Sequence, residues 1–338
     1  MLTRTGTLVT IMALGAVPPG WAQEAALSVR HNAEQQELIF ELGPLHLEAN
    51  ADHGGVPQPK AQAAALPLGG YLHGFTAEMI DGAGRPIPSV LLHHVNIIAP
   101  QRRELFSEIM QRVGAAGSET GSVLIPKLLG YPVNAGDSLL FTAMFHNPTS
   151  ESYHNARLRI RMRYTPPRPG RPIVAIQPFY LDVMPPAGLH AYDLPPGRSE
   201  QSWEGSPAVS GRILALGGHL HKYGVSIRLE DVTEGKLLFE SAPQLDEKGN
   251  VIGMPKKFFL TKLGIPLRAE HTYRITAIYD NPTGEVLVGA GMGALGGVFA
   301  PDESQAWPTV NRSHPEYLLD VKVTLEGSHG GNGGHHAH

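Results

Sequence analysis

The chain of 338 residues contains no cysteine. This absence excludes blue-copper centres, iron–sulfur clusters, thiolate zinc sites and cysteine nucleophiles, because each of them needs a sulfur ligand or thiolate from cysteine. Any metal site in this protein must therefore be built from histidine, methionine and carboxylate side chains. The fold must also be held together by its core rather than by disulfides, and a chain of this length can bury one.

Other features are scarce as well. Aromatic residues make up only 7% of the chain, and the net charge of −4 argues against nucleic acid as a partner. Helical periodicity is rare, while 29 prolines and 39 glycines favour many short strands joined by turns, so we predict a mostly β protein. The one predicted helix is 103–113, where Leu105, Ile109 and Val113 share a face.

The order of segments predicts a signal, two domains and a tail. Residues 1–22 have the positive start (Arg4), apolar centre and small-residue end of a secretory signal, which predicts a periplasmic or secreted protein without a later membrane span. Residues 23–164 and 173–326 are predicted domains, separated by a proline-rich linker at 165–172, and 327–338 is predicted to be a disordered Gly/His tail. Strands are predicted at 69–80, 90–98, 138–146, 158–164, 173–184, 212–217, 223–230, 273–279 and 317–325.

A short segment occurs twice. Residues 140–149 and 274–283 share Thr-Ala and Asn-Pro-Thr at the same offsets, and each follows a histidine pair. Asn-Pro is a common turn opener, so convergence is one explanation. The matching order favours duplication of one domain. The alignment places Asp280 at the position of His146.

The most distinctive stretch is His219-Leu220-His221, with glycines on both sides. Alternate side chains of a strand point the same way, so the two imidazoles can converge on one metal ion. Two exposed histidines on one strand face would look the same. The other candidate ligands in the chain favour the interpretation of this pair as part of a metal site.

Four further residues complete two candidate ligand sets. The adjacent His93 and His94 can bind one ion only at a strand end or a bulge, where the alternation breaks. His146 ends a predicted strand and is placed to join them. Met292 lies in a glycine-rich segment, and its soft thioether favours Cu(I). The simpler interpretations are a core histidine, an exposed histidine and a core-filling methionine.

The order His-His, His, His-x-His, Met resembles the copper type II, ascorbate-dependent monooxygenases, represented by peptidylglycine α-hydroxylating monooxygenase and dopamine β-monooxygenase. The resemblance covers roughly residues 70–326. It implies two tandem jelly-roll-like antiparallel β-sandwich domains that hold two copper ions across a solvent-filled cleft. The first copper would be held by His93, His94 and His146, and the second, catalytic copper by His219, His221 and Met292. An activated C–H bond of a small organic substrate would be hydroxylated with O2 and a reductant such as ascorbate.

The chain also departs from that family. The peptide-hydroxylating enzyme has an arginine two residues before the His-x-His pair and a tyrosine four residues after the methionine, where this chain has Gly217 and Gly296. A glycine-extended peptide is therefore not the expected substrate. Asp280 is a rival to Met292 as third ligand. One alternative function is a non-catalytic periplasmic copper-handling protein, which the His-rich tail favours, and another is a zinc-binding or carbohydrate-binding β-sandwich.

Overall fold

The computed structural model describes residues 25–52, 54–118, 123–167, 170, 173–188, 190–247, 251–259, 264–303 and 305–326. The predicted signal, the predicted tail and residues 168, 169, 171 and 172 of the predicted linker lie outside the described residues. Within the described part of the chain, no helix is both long enough and apolar enough to cross a membrane.

The first half of the chain folds into two facing sheets whose strands are antiparallel except for the parallel β8–β11 pair. The larger sheet has the order β1-β2-β10-β4-β8-β11, with β7 beside β4, and the smaller has the order β3-β9-β5-β6. A 3-10 turn (Ser89–Leu91) leads into β5. The strands are β1 (Ala26–Asn32), β2 (Glu37–Leu47), β3 (Gln62–Ala65), β4 (Gly70–Ile80), β5 (Leu92–Arg103), β6 (Met110–Gly117), β7 (Val123–Leu124), β8 (Leu129–Val133), β9 (Ser138–Phe145), β10 (Tyr153–Thr165) and β11 (Val174–Ala175).

The second half repeats this layout. One sheet has the order β12-β24-β15-β20, with β21 beside β15, and the other has the order β14-β22-β16-β17. Two short hairpin-like pairs, β13-β23 and β18-β19, lie beside them. The strands are β12 (Gln177–Asp182), β13 (Tyr192–Leu194), β14 (Gly197–Gly205), β15 (Gly211–Leu220), β16 (Gly224–Asp231), β17 (Lys236–Ser241), β18 (Gln244–Leu245), β19 (Val251–Gly253), β20 (Lys257–Phe258), β21 (Ile265–Leu267), β22 (Tyr273–Asn281), β23 (Leu287–Gly291) and β24 (Gly293–Pro301).

Each half has its own apolar core between its two sheets. Phe40, Phe141 and Phe145 are fully buried in the first core, and Phe179 and Phe299 in the second. Alternate residues of each strand supply these side chains, because successive residues of a strand point to opposite faces. The prediction of a mostly β protein made of two jelly-roll-like sandwiches is confirmed.

Most predicted strands are confirmed, but the predicted helix at 103–113 is wrong. Residues 104–109 form a loop between β5 and β6. Leu105 and Phe106 leave the first sandwich and pack into the second core. They are apolar because they fill that core, and not because they form one face of a helix. The buried carboxylate of Glu104 accepts the backbone N–H groups of Leu105 and Arg112, so a side chain satisfies these amides outside a helix.

The predicted strand at 317–325 is also wrong, because this segment is the helix α1 (Pro315–Glu326). The helix packs against β6 of the first sandwich. Its buried Asp320 accepts the backbone N–H of Met110 at 3.0 Å and the Arg112 guanidinium Nη1 at 3.0 Å. The apolar alternation at 317–325 is short and does not specify a strand by itself. The contacts of Asp320 with Met110 and Arg112 stabilise the helix instead.

The repeated Asn-Pro-Thr segments form the same turn in both halves. The Asn147 side chain donates to the backbone of Leu47 (3.0 Å) and Glu151 (2.7 Å), and the Thr149 N–H donates to it at 3.0 Å. Asn281 makes the same set of bonds, with Glu285 O at 2.7 Å and Thr283 N at 3.1 Å. Both asparagines are almost fully buried. The shared geometry supports duplication of one domain.

Candidate metal centres

The first candidate cluster lies at a bulge of β5. Leu92 pairs with Phe145 of β9, but His94 pairs with Met144, so His93 is the extra residue of a β-bulge. The bulge breaks the alternation that would otherwise send His93 and His94 to opposite faces. His146 follows β9 directly, and its N–H donates to Leu91 O at 3.2 Å.

The three imidazoles of this cluster lie together. The Nδ1 atoms of His93 and His94 are 2.8 Å apart. Their ring centroids are 5.0 Å apart, and the rings of His93 and His146 are 5.6 Å apart. All three histidines are half-buried. An ion bound by two imidazole nitrogens at about 2.0 Å with an angle near 90° would hold them about 2.8 Å apart, which fits the observed separation.

The second cluster lies where β15 ends. His219 and His221 point to the same side, with ring centroids 5.1 Å apart and planes at 85° to each other. Leu220 pairs with Gly293 of β24, which is the last pair of this ladder. Met292 directly precedes Gly293, so the backbones of Met292 and His221 lie at the adjoining ends of the two strands.

A buried tyrosine fixes this junction. The Tyr279 hydroxyl accepts the His221 N–H at 2.9 Å and the Met292 N–H at 3.2 Å, and donates to the Met292 carbonyl. It is inserted where the next rung of the β15–β24 ladder would form. Burial raises the pKa of Tyr279, so the hydroxyl stays protonated and keeps its donor. The sequence offered one overlooked signal, because the repeat aligns Tyr279 with Phe145, which has no hydroxyl.

Asp280 is placed differently from Met292. It follows Tyr279 in β22, and successive residues of a strand point to opposite faces, so its carboxylate is directed away from the side that Tyr279 faces. It is exposed, and it pairs with Arg198 of β14. Asp280 is therefore directed away from the Tyr279 side, whereas the Tyr279 hydroxyl links the backbone of Met292 to that of His221.

The two clusters occupy different positions of the duplicated fold. β16 has a bulge between Gly224 and Ser226, as β5 has between Leu92 and His94. The Asp280 N–H donates to Tyr223 O at 3.0 Å, which matches the bond made by the His146 N–H in the first half. The second-half counterparts of the first histidine cluster are thus Val225, Ser226 and Asp280. The second cluster lies on a different strand pair and is not a copy of the first.

Two further features of the second cluster were not anticipated from the sequence. Asp182 of β12 pairs with Ala294, which pairs with His219, so the three lie in one row across the sheet. Its fully buried carboxylate accepts the Tyr180 hydroxyl and lies 2.9 Å from His190 Nδ1. Tyr180 and Asp182 share a face of β12 at a spacing of two residues, whereas His190 reaches Asp182 only through the loop that follows β12.

Neither a protein-family model nor a curated protein matches this chain. Among solved structures, the major capsid protein P2 of bacteriophage PM2 is similar at 9% identity and a TM-score of 0.35, covering 80% of this chain and 99% of that one. PNGF-II is similar at 10% identity and a TM-score of 0.37, and the match covers 84% of this chain and 63% of that one. Likenesses this weak carry no argument about the site or the function.

Proposed function

We propose that this chain is an exported, two-copper monooxygenase-like protein that hydroxylates an activated C–H bond of a small organic substrate. One observation carries the proposal. Five imidazoles gather as two clusters, His93 with His94 and His146, and His219 with His221, in the order of the family that the sequence resembles, and the Tyr279 hydroxyl links the backbone of Met292 to that of His221. Export is supported by the sequence of residues 1–22 alone.

The donor sets suit copper in two different roles. Imidazoles bind both copper oxidation states, whereas a thioether selects Cu(I). His93, His94 and His146 would hold an ion that exchanges electrons with a reductant, and His219, His221 and Met292 would hold one that stays reduced until O2 arrives. Copper would supply the one-electron and dioxygen chemistry. The protein would supply fixed ligand positions, with Tyr279 holding the backbone on both sides of the second set.

The surface beside the second cluster lacks the two carboxylate anchors of the peptide-hydroxylating enzyme. Gly217 and Gly296 are cross-strand partners, so the two positions that anchor a carboxylate in the peptide-hydroxylating enzyme are neighbours here and both lack side chains. A Cβ at Gly296 would meet no atom within 4 Å, and one at Gly217 would first meet Lys256 Cγ at 3.5 Å. The surface at Gly217 and Gly296 is therefore open, and these two positions offer no side-chain anchor for a carboxylate.

A copper-handling protein without turnover is the second candidate. The same missing anchors favour it, because a protein that only stores or transfers copper needs no substrate site. Both candidates require the two clusters to bind copper, so copper binding alone does not separate them.

Oxygen consumption separates the two candidates. The full chain loaded with copper should hold two ions in its clusters and consume O2 in the presence of ascorbate, faster when a hydroxylatable small molecule is added. Two bound coppers without oxygen uptake on a panel of such molecules would support copper handling instead. Failure of either cluster to bind copper would end both proposals.

The sulfur ligand can be tested separately. Met292→Leu removes the thioether at similar volume, so we expect the Cu(I) affinity of the second cluster to fall at least about 10-fold while the three-histidine cluster stays filled. Competition with a Cu(I) chelator measures this. Met162→Leu, in the first core at 2% exposure, is the matched control and should leave the affinity unchanged. Equal affinities in the two variants would remove Met292 from the ligand set.

A further inference from the structure

A third group of metal-ligating side chains lies on the outer sheet of the first sandwich. His46 of β2 and His154 of β10 are direct cross-strand partners, and Glu48 follows two positions after His46. All three are exposed. The group lies on the β2–β10 pair, whereas the two clusters described above lie on β5–β9 and β15–β24.

The ring of His46 faces both of its neighbours. Its Nδ1 atom is 3.0 Å from Nδ1 of His154, with the ring centroids 4.3 Å apart. Its Nε2 atom is 2.6 Å from Oε1 of Glu48. One ligand atom from each residue can be chosen so that all three lie within 4.8 Å of one another. Two cis imidazole ligands at about 2.0 Å from an ion would lie about 3 Å apart, as these two Nδ1 atoms do.

The carboxylate of Glu48 is held in place from its other side. The Ser152 hydroxyl donates to Glu48 Oε2 at 2.7 Å and itself accepts the Ala49 N–H at 3.1 Å. A carboxylate that accepts from the second nitrogen of an imidazole is the usual support of a metal-binding histidine, because it fixes the tautomer and raises the basicity of the ring.

The local backbone explains why the two histidines face each other. The register of β10 against β2 shifts between His154 and Ala156 and again before Leu158. Asn155 has a φ of 72°, in the left-handed region that asparagine tolerates. These irregularities form a bulge directly after His154, and bulges re-aim side chains.

We propose that His46 and His154 bind one divalent transition-metal ion through their Nδ1 atoms, with Glu48 supporting the ring of His46. Two imidazole ligands suit Zn²⁺, Ni²⁺ or Cu²⁺. The set lacks the thioether or thiolate that favours Cu(I) and the oxygen-rich shell that Ca²⁺ and Mg²⁺ need. A bound ion would cross-link β2 and β10 next to the bulge. The inference is independent of the proposed copper function.

Zinc binding to the full chain tests this site. Calorimetric titration with Zn²⁺ gives the number of ions bound by the unaltered chain, and the double variant His46→Ala/His154→Ala should bind one fewer. His314→Ala is the matched control, because its imidazole also lies 4.0 Å from a carboxylate, that of Glu316, and it should bind the unaltered number. Glu48→Gln should keep the ion and weaken its binding by at least about 10-fold.

A second measurement needs no variant. Saturating Zn²⁺ should protect His46 and His154 of the unaltered chain from diethyl pyrocarbonate, as read by mass spectrometry of the peptides, while His314 stays reactive. An undiminished number of ions in a folded double variant would overturn the proposal. So would equal reactivity of His46 and His154 with and without Zn²⁺.

Discussion

A single hydroxyl group determines how two of the candidate ligands are presented. The Tyr279 side chain is fully buried, yet its oxygen bonds to three backbone groups, the N–H of His221 and both the N–H and the C=O of Met292. A tyrosine hydroxyl can donate one bond and accept two, so its capacity is used completely. The strand ends that carry the second cluster are thus held by a residue that would itself touch no metal.

We expect Tyr279→Phe to weaken both the fold and the second cluster. The substitution keeps the ring and leaves the N–H groups of His221 and Met292 without this partner, which should lower the free energy of unfolding by about 1–3 kcal/mol. Urea unfolding measures this, and chelator competition should show weaker Cu(I) binding with the three-histidine cluster unaffected.

Tyr192→Phe provides the matched control. Tyr192 packs against Tyr279, with ring centroids 6.1 Å apart, and its buried hydroxyl has no hydrogen-bond partner among the described residues. Removing that hydroxyl should leave stability unchanged or raise it. Equal losses in the two variants would show that ring packing, and not the hydroxyl bridge, explains the effect at Tyr279.

Among the structural elements, the Asn-Pro-Thr turns tie the strand ends of each half together. The Asn147 amide joins the end of β2 to the turn that follows β9, and the Asn281 amide joins the end of β13 to the turn that follows β22. In the first half this turn follows His146 directly. The turn therefore helps to set the position of a candidate ligand as well as the path of the chain.

Asn147→Ala and Asn281→Ala should be destabilising to a similar degree. Each removes a buried amide that bonds to at least two carbonyls and one N–H, so we expect a loss of about 2–4 kcal/mol in chemical unfolding. Asn311→Ala removes an exposed turn asparagine that accepts the Ser313 N–H at 3.1 Å, and should cost about 1 kcal/mol or less. A buried variant no less stable than Asn311→Ala would contradict the structural role of that turn.

Predictability from sequence also differs between elements. Alternation was enough to locate β4, β9, β15 and β22 within a few residues, and to place His219 and His221 on one face. It could not place the bulge at His93, because a one-residue shift of register depends on the partner strand. Helical periodicity failed at 103–113 and alternation failed at 317–325, because both segments are shaped by distant contacts, with the second core and with β6. The repeat revealed the equivalent turns but not the different locations of the two clusters.

At the scale of the whole molecule, the two halves are joined by the loop between β5 and β6. Leu105 and Phe106 of this loop belong to the second core, although β5 and β6 belong to the first sandwich. Glu104 accepts the Tyr180 N–H of β12 at 3.1 Å as well as the Arg112 N–H of β6 at 2.7 Å. One fully buried carboxyl group therefore bonds to strands of both halves.

The titration of Glu104 should make the stability of the whole molecule depend on pH. Burial raises the pKa of Glu104 to about 7 from 4.5, and the N–H donors and Arg112 offset this only in part. Between these values the folded chain binds more protons than the unfolded chain. Its contribution to stability is therefore full below about pH 4.5 and falls as pH rises to about 7, by on the order of 3 kcal/mol in total.

Glu104→Gln removes this titration, so we expect the difference in unfolding free energy between the variant and the unaltered chain to change steadily from pH 4.5 to 7 and to level off above pH 7. Urea unfolding at half-unit pH steps measures the difference. Glu285→Gln, which alters an exposed side chain, is the control and should give a nearly constant difference over the same range. Parallel stability curves for Glu104→Gln and the unaltered chain would show that this carboxyl group has the same proton affinity in the folded and unfolded states.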